Sequence, residues 1–210
     1  HIMVNARDDT KIPAGIVLMG WERLLPRIPH RGKQVNPHDK GLQLVTAHVQ
    51  AVEGSRIMDI WKFFDITHRE HVVCNPTSEE KLTRLVELLR LPTNARVVDI
   101  ACGKGEFLVR LAEVYGARGT GVDLSPFFIA DAERRLKARA ASAGITFTQM
   151  DGADFQPDVP RSLDLASCIG ASWVFGGHAN TLEALNSMVR PGGWVIVGEP
   201  YWRQEPSGDY

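Results

Sequence analysis

Three aspartates recur along the chain, each closing an apolar run and each followed by small residues. They are Asp99 in VVDIACGKG, Asp123 in GTGVDLS and Asp151 in ITFTQMDGADF. A fourth run, SLDLASCIGASW, ends in Cys168, Gly170 and Trp173. Carboxylates accept hydrogen bonds from hydroxyls and amines, and glycine lets a ligand approach the backbone more closely than any side chain would allow. Gly103 and Gly105 follow Asp99, and an amphipathic run begins at once. Free amides at the start of that helix would face a carboxylate or a phosphate. Asp123 stands eighteen residues beyond Gly105. At about that separation an acid meets both hydroxyls of a ribose. The competing role, capping the next helix, falls to Ser125, which leaves Asp123 without a structural role. Asp151, with Gly152 and Ala153, suits the exocyclic amine and flat face of an adenine.

Together these residues describe a site for a nucleoside with a charged tail. Two cofactor classes fit, the nicotinamide or flavin dinucleotides and S-adenosyl-L-methionine. The dinucleotide fingerprint G-x-G-x-x-G needs a third glycine, and Leu108 occupies that place. The chain therefore favours a ligand without a pyrophosphate. The segments VVDIACGKG, GVDLS, MDGADF and RPGGWVIVGEPYW, in that order and spacing, resemble the motifs of class I S-adenosylmethionine-dependent methyltransferases. The likeness runs from about Ile57 to Tyr201. It implies that Asp99, Gly103 and Gly105 hold the methionine end, with Ala101 standing where the family's first motif glycine is usual. It implies Asp123 on the ribose hydroxyls and Leu124 beside the adenine. Asp151, Gly152 and Ala153 would hold the adenine, and Cys168 and Gly170 would line the sulfonium side.

The elements that must position these groups alternate. Strands are expected at ARVVDIA, GTGVDLS, ITFTQMD, SLDLASCI and WVIVGEP. Helices are expected at GEFLVRLAEVYG, PFFIADAERRLKARAASA and ANTLEALNSMV, with RPGG as the turn into the last strand. Ser125 and then Pro126 mark one helix start, and Gly116 marks a helix end. An earlier helix, TSEEKLTRLVELLRL, opens on Thr77 as N-cap with Glu80 completing a capping box. Strands rich in Val, Ile and Leu between helices predict an α/β fold, a doubly wound, mostly parallel sheet of the Rossmann-like methyltransferase type. The family's sheet normally has seven strands, so a fifth strand close to Tyr210 implies either that the last strands are lacking, the favoured reading, or that the first segment fills the gap. Residues 57–210 are expected to form a methyltransferase domain, C-terminally incomplete. Residues 1–56, with a cloning scar at His1 and Ile2, form an extension without an assigned role. Within it GIVLMGW reads as a short strand and LQLVTAHVQAV as a helix.

Bulk properties bound the rest. The chain has 210 residues, of which 44% are hydrophobic, with 24 Lys and Arg against 25 Asp and Glu. Near-neutral charge argues against nucleic acid and anionic membranes as partners. No apolar run reaches the roughly 20 residues of a spanning helix. Three separated cysteines form no disulfide framework, so a cytoplasmic setting is the default. Candidate catalytic residues are His71, within His68-x-x-His71-x-x-Cys74, with Glu199 at the end of the fifth strand and His178 after FGG. That His/Cys spacing fits no zinc site, because a fourth ligand is not evident. Trp61, Phe63, Phe64 and Trp173 offer aromatic faces to a cationic sulfonium. The expected reaction is in-line transfer of a methyl group from S-adenosyl-L-methionine to a small organic acceptor. The alternatives are a non-catalytic cofactor-binding module or inactive fragment and, disfavoured by Leu108, an NAD-dependent oxidoreductase. The sequence specifies neither the acceptor nor the oligomeric state.

Overall fold

A computed structural model describes residues 2–5, 15–22 and 60–201. In chain order the elements are β1 (Ile2–Asn5), β2 (Gly15–Glu22), α1 (Ile60–Thr67), α2 (Glu79–Leu89), β3 (Arg96–Ile100) and α3 (Glu106–Tyr115). They continue with β4 (Arg118–Asp123), α4 (Pro126–Arg139), β5 (Ile145–Gln149), β6 (Leu163–Ile169), α5 (His178–Met188) and β7 (Val189–Tyr201). Short 3₁₀ turns occupy Gly152–Asp154 and Ser172–Phe175. The expected helix at 42–52 lies outside the described residues.

All strands join one sheet in the order β1-β2-β7-β6-β3-β4-β5. Five of them, β3 to β7, run parallel, as the alternation of strands and helices predicts. β3 pairs with β4 on one side and β6 on the other. The chain order reverses there, which makes the carboxyl end of β3 the switch point where ligands bind in such sheets. Among the described residues no strand follows β7. Its outer edge is instead covered from the other end of the chain: β2 pairs with it in parallel, and β1 pairs antiparallel with β2. An uncovered edge would leave a row of unpaired backbone groups.

Alternation along the strands sorts side chains to two faces. Val97, Leu165 and Ile196 pack on one face with Leu85 and Leu89 of α2 and Leu108 and Leu111 of α3. Val98, Ala166, Val195 and Val197 pack on the other with Leu185 and Met188 of α5. Fully burying one such side chain contributes roughly 1.5–3 kcal/mol. The Leu108 side chain comes within van der Waals reach of the sheet because Gly121 lies beneath it: a Cβ there would stand 2.8 Å from Leu108 Cδ1. The close helix–strand approach that a third motif glycine would permit is supplied here from the strand.

Local signals place most element ends. Ser125 caps α4 by accepting the Phe128 amide, with Pro126 following, and Gly116 closes α3 in the left-handed conformation. Two expectations are corrected. The N-cap of α2 is Ser78, whose Oγ accepts the Lys81 amide, and not Thr77. Thr77 is buried, and its amide donates to Asn75 Oδ1. The RPGG segment does not precede the last strand but lies within it as an irregularity. Val189 already pairs with Leu163, and the register shifts before Trp194 pairs with Leu165. Among the described residues, no helix is long and apolar enough to cross a membrane.

Candidate functional site

The chain leaves β3 through a tight turn in which Ala101, Gly103 and Gly105 all have positive φ, at 55°, 54° and 71°. The Gly105 amide donates to Cys102 O, and the Cys102 amide donates to Val122 O, so the turn is tied to β4 as well as to itself. The Gly103 amide donates to Asp123 Oδ2 at 2.9 Å. The other oxygen, Oδ1, accepts the Ser125 amide at 2.8 Å. Asp123 therefore does have a structural role, contrary to expectation, since its carboxylate joins the glycine turn to the start of α4. An ionised carboxylate has about four acceptor sites, and two are filled by these amides. Burial pushes the Asp123 carboxyl above its ordinary range, against the downward pull of the Ser125 and Gly103 amides.

Asp99 comes from the penultimate residue of β3 and is 4% exposed. Ser167 Oγ, on the neighbouring β6, donates to Asp99 Oδ1 at 2.7 Å. Burial pushes the Asp99 carboxyl up to about 7, with Asp123 adding to the rise and the Ser167 bond opposing it. Asp99 and Asp123 both line a cavity of about 220 Å³ at the carboxyl ends of the strands. Ala101, Gly103, Leu124, Gly152 and Gly170 line it too. Gly152 allows no side chain, since its Cβ would stand 2.5 Å from Ile100 Cγ2.

Other sequence candidates lie outside that lining. Gly105 starts α3 and is packed against Phe147 and Ala132. Asp151 is exposed, and its Oδ1 accepts the Ala153 amide at 3.0 Å, capping the turn that carries Gly152. Ala153 is exposed, and Cys168 is wholly buried in the core, where burial pushes its thiol up. The structure does not bring His71, Glu199 and His178 into the cavity. His71 is exposed on the outer side of His68, ring centroids 5.3 Å apart. Glu199 Oε1 accepts the Ser172 amide at 2.8 Å. His178 is exposed at the first turn of α5. Of the aromatic residues singled out, Trp61, Phe64 and Trp173 line the cavity, whereas Phe63 does not.

The segment between α1 and α2 passes over the cavity and is held at several points. Lys104, flanked by the turn glycines and 4% exposed, donates from Nζ to His68 O at 2.6 Å and to Arg69 O at 2.9 Å. Its ammonium also pairs with Asp131 at 3.4 Å. Arg135 donates to Val72 O, and Asn75 Nδ2 donates to Ile169 O on β6. Arg135 in turn pairs with buried Glu106, which Arg110 and Arg139 also engage. Lys104, Asn75 and Glu106 line the cavity and escaped the sequence reading. The one local signal was a lysine set between two glycines immediately before an amphipathic helix. Cys74 and Cys102 also line the cavity, and burial pushes both thiols up. Among the described residues no cluster of His, Cys, Asp and Glu is placed to hold a metal.

Comparisons with known proteins find similarity to methyltransferases. Residues 97–193 match a family described as "Methyltransferase domain". The crystal structure of a SAM-dependent methyltransferase from Thiobacillus denitrificans, in complex with S-adenosyl-L-homocysteine, is 41% identical with a TM-score of 0.67, covering 72% of this chain and 60% of that one. "Uncharacterized protein YjhP" of Escherichia coli (strain K12) is 39% identical over 150 residues, 71% of this chain and 60% of that protein. A "Trans-aconitate 2-methyltransferase" of Methylobacterium nodulans is 36% identical over 124 residues, 59% of this chain and 45% of that protein. The chain thus spans about 60% of the length of the first two and less than half of the third.

Proposed function

We propose that the chain is a class I S-adenosylmethionine-dependent methyltransferase, whose cavity binds S-adenosyl-L-methionine for methyl transfer to a small organic acceptor. The observation that carries the reading is the meeting of Asp99 and Asp123, from separate strands, in one cavity at the switch point of the sheet.

The residues present fit the cofactor. Asp123 keeps acceptor capacity beyond the backbone amides of Gly103, Ser125 and Leu124 that face it, suited to the hydroxyls of a ribose. Asp99 is a buried carboxylate with Ser167 Oγ as its one donor among the described residues, suited to the ammonium of the methionine end. Leu124 and Gly152 line the part of the cavity assigned to the flat base, with exposed Asp151 and Ala153 flanking Gly152 in the chain. Gly170 and the faces of Phe64, Trp61 and Trp173 border the remaining space and can favour a cation. Bound there, S-adenosylmethionine supplies a methyl group already activated by its sulfonium. The chain itself must orient the acceptor in line with that methyl and exclude water. The cover formed by residues 68–75, anchored by Lys104, Arg135 and Asn75, serves both ends. A relative named for trans-aconitate supports an acceptor of small-molecule size.

The test is binding. S-adenosylhomocysteine at saturation is expected to raise the melting temperature, because a ligand bound by the folded state alone stabilises it. Asp123→Ala is expected to weaken calorimetric affinity by about 1.5–3 kcal/mol, or about 10- to 150-fold. A shift with NAD and none with S-adenosylhomocysteine would overturn the reading.

A further inference from the structure

The cavity wall is predominantly apolar and includes Trp61, Phe64, Val72, Phe128, Ile169 and Trp173. Among the described residues lining it, the one cation is Lys104, whose ammonium is already engaged by two backbone carbonyls and Asp131. The lining acids are Asp99, Asp123 and Glu106. An anionic acceptor would find no uncommitted positive charge here and would face carboxylates. A neutral, flat acceptor would find ring faces and aliphatic walls.

Of the titratable side chains of this wall that cofactor binding leaves unused, Lys104 and Glu106 are held in ion pairs and burial keeps the Cys74 and Cys102 thiols protonated, which leaves His68. Its Nδ1 lies 3.2 Å from Phe64 O, an atom that can only accept, and with the Thr67 hydroxyl donating to the Phe63 and Phe64 carbonyls it is the tautomer with hydrogen on Nδ1 that satisfies this contact. Thr67 Oγ1, at 3.1 Å, lies beside the same nitrogen. In the neutral ring the lone pair then sits on Nε2, where no hydrogen-bond partner stands among the described residues. The imidazole is bounded edge-on by the rings of Phe64, Phe128 and His71. Its own backbone carbonyl is pinned by Lys104 at 2.6 Å. The ring is therefore fixed in place, and its Nδ1 side is occupied by Phe64 O and Thr67 Oγ1.

The geometry points to His68 as the general base for a neutral phenolic hydroxyl, the acceptor class that matches this wall. This rests on the cofactor reading above. Nε2 takes the hydroxyl proton, and the oxygen's electron pair forms the bond to the methyl carbon. The carbon–sulfur pair leaves with sulfur as a neutral thioether, and the imidazolium returns its proton to solvent. A base is needed only when the nucleophile still holds its proton, so the contribution of His68 depends on the acidity of the phenol.

The experiment compares wild type, His68→Ala and His68→Asn, whose amide can keep the bond to Phe64 O without offering a base. Each is first checked for a melting shift with S-adenosylhomocysteine. Methyl transfer is then measured at pH 8 to phenol, a weak acid, and to 4-nitrophenol, largely ionised there. Both variants are expected to lose about 10²- to 10⁴-fold on phenol and to stay near wild type on 4-nitrophenol. A second readout needs no turnover. 4-Nitrocatechol bound to the wild type in mildly acidic buffer is expected to show the absorbance of its anion, and bound to either variant that of the neutral form. Equal losses on both phenols, identical spectra in all three proteins, or transfer to trans-aconitate but to neither phenol would overturn the assignment. If S-adenosylhomocysteine fails to bind the wild type, the reading of the cavity falls first, and His68 with it.

Discussion

Asp99→Asn is expected to stabilise the folded chain above neutral pH and to change it little in acid. In the fold the carboxyl titrates at about 7 against an ordinary 3.8, because burial penalises its charge. At about 1.4 kcal/mol per unit, the ionised form costs about 4 kcal/mol more in the folded than in the unfolded chain. The sign follows from which state holds the proton. Below about pH 4 the acid is protonated in both states, and the cost is absent. Between about pH 4 and 7 the unfolded chain ionises while the folded one keeps its proton, so stability falls by about 1.4 kcal/mol per unit. Above about 7 the loss is complete. Asn has no proton to lose, and its Oδ1 can still accept from Ser167 Oγ, so the difference between the two proteins reports chiefly on this group. Urea unfolding of both at pH 5, 6, 7 and 8 is the assay, since titrating residues distant from Asp99 cancel in the difference and the coupled Asp123 acts in the same direction, relieved of a neighbouring charge in the variant. The gap in favour of Asn is expected to widen by about 3 kcal/mol across that range. A gap that stays constant to within about 0.5 kcal/mol would refute the argument, because Asp99 would then be hydrated or paired in a way its surroundings do not show.

Other substitutions probe the parts around it. Ser78→Ala is expected to cost about 1 kcal/mol by removing the cap of α2. Thr77→Val is expected to cost nothing or to stabilise, since Thr77 Oγ1 is buried without a partner among the described residues; urea denaturation compares the two. Gly152→Ala is expected to cost roughly 1–3 kcal/mol through the collision with Ile100, and calorimetry should show weaker S-adenosylhomocysteine binding. Lys104→Met is expected to lower the local opening energy of residues 68–75 by about 1–3 kcal/mol, as two carbonyls lose their charged donor. Hydrogen exchange by mass spectrometry would show it as faster exchange in that segment, with the strands unaffected.

Much of the scaffold was legible because its signals are local. Apolar runs of strand length between helical periodicities required a parallel α/β sheet. Ser125-Pro126 and Gly116 marked helix ends through contacts spanning a few residues. The glycine turn after Asp99 and the acid ending β4 stood out for the same reason: small residues and carboxylates at strand ends are visible in one dimension. The sequence by itself determined the class of the fold, its elements and the acids offered at the switch point.

Only the folded chain decided which groups share the cavity. The sheet order sets Asp99 beside Ser167, 68 residues away, and sends the Asp123 carboxylate back to Gly103, 20 residues earlier. Lys104 reaches His68 across 36 residues, and Asn75 reaches Ile169 across 94. These bonds turn His68 inward and leave His71 outside, a choice that two histidines three residues apart in an irregular segment cannot announce. The physical reason is range: periodicity, caps and turn chemistry act over a few residues, whereas the facing of an irregular segment follows from partners brought by distant strands. The sequence therefore required a sheet with acids at its edge, and tertiary packing selected the side chains that meet there.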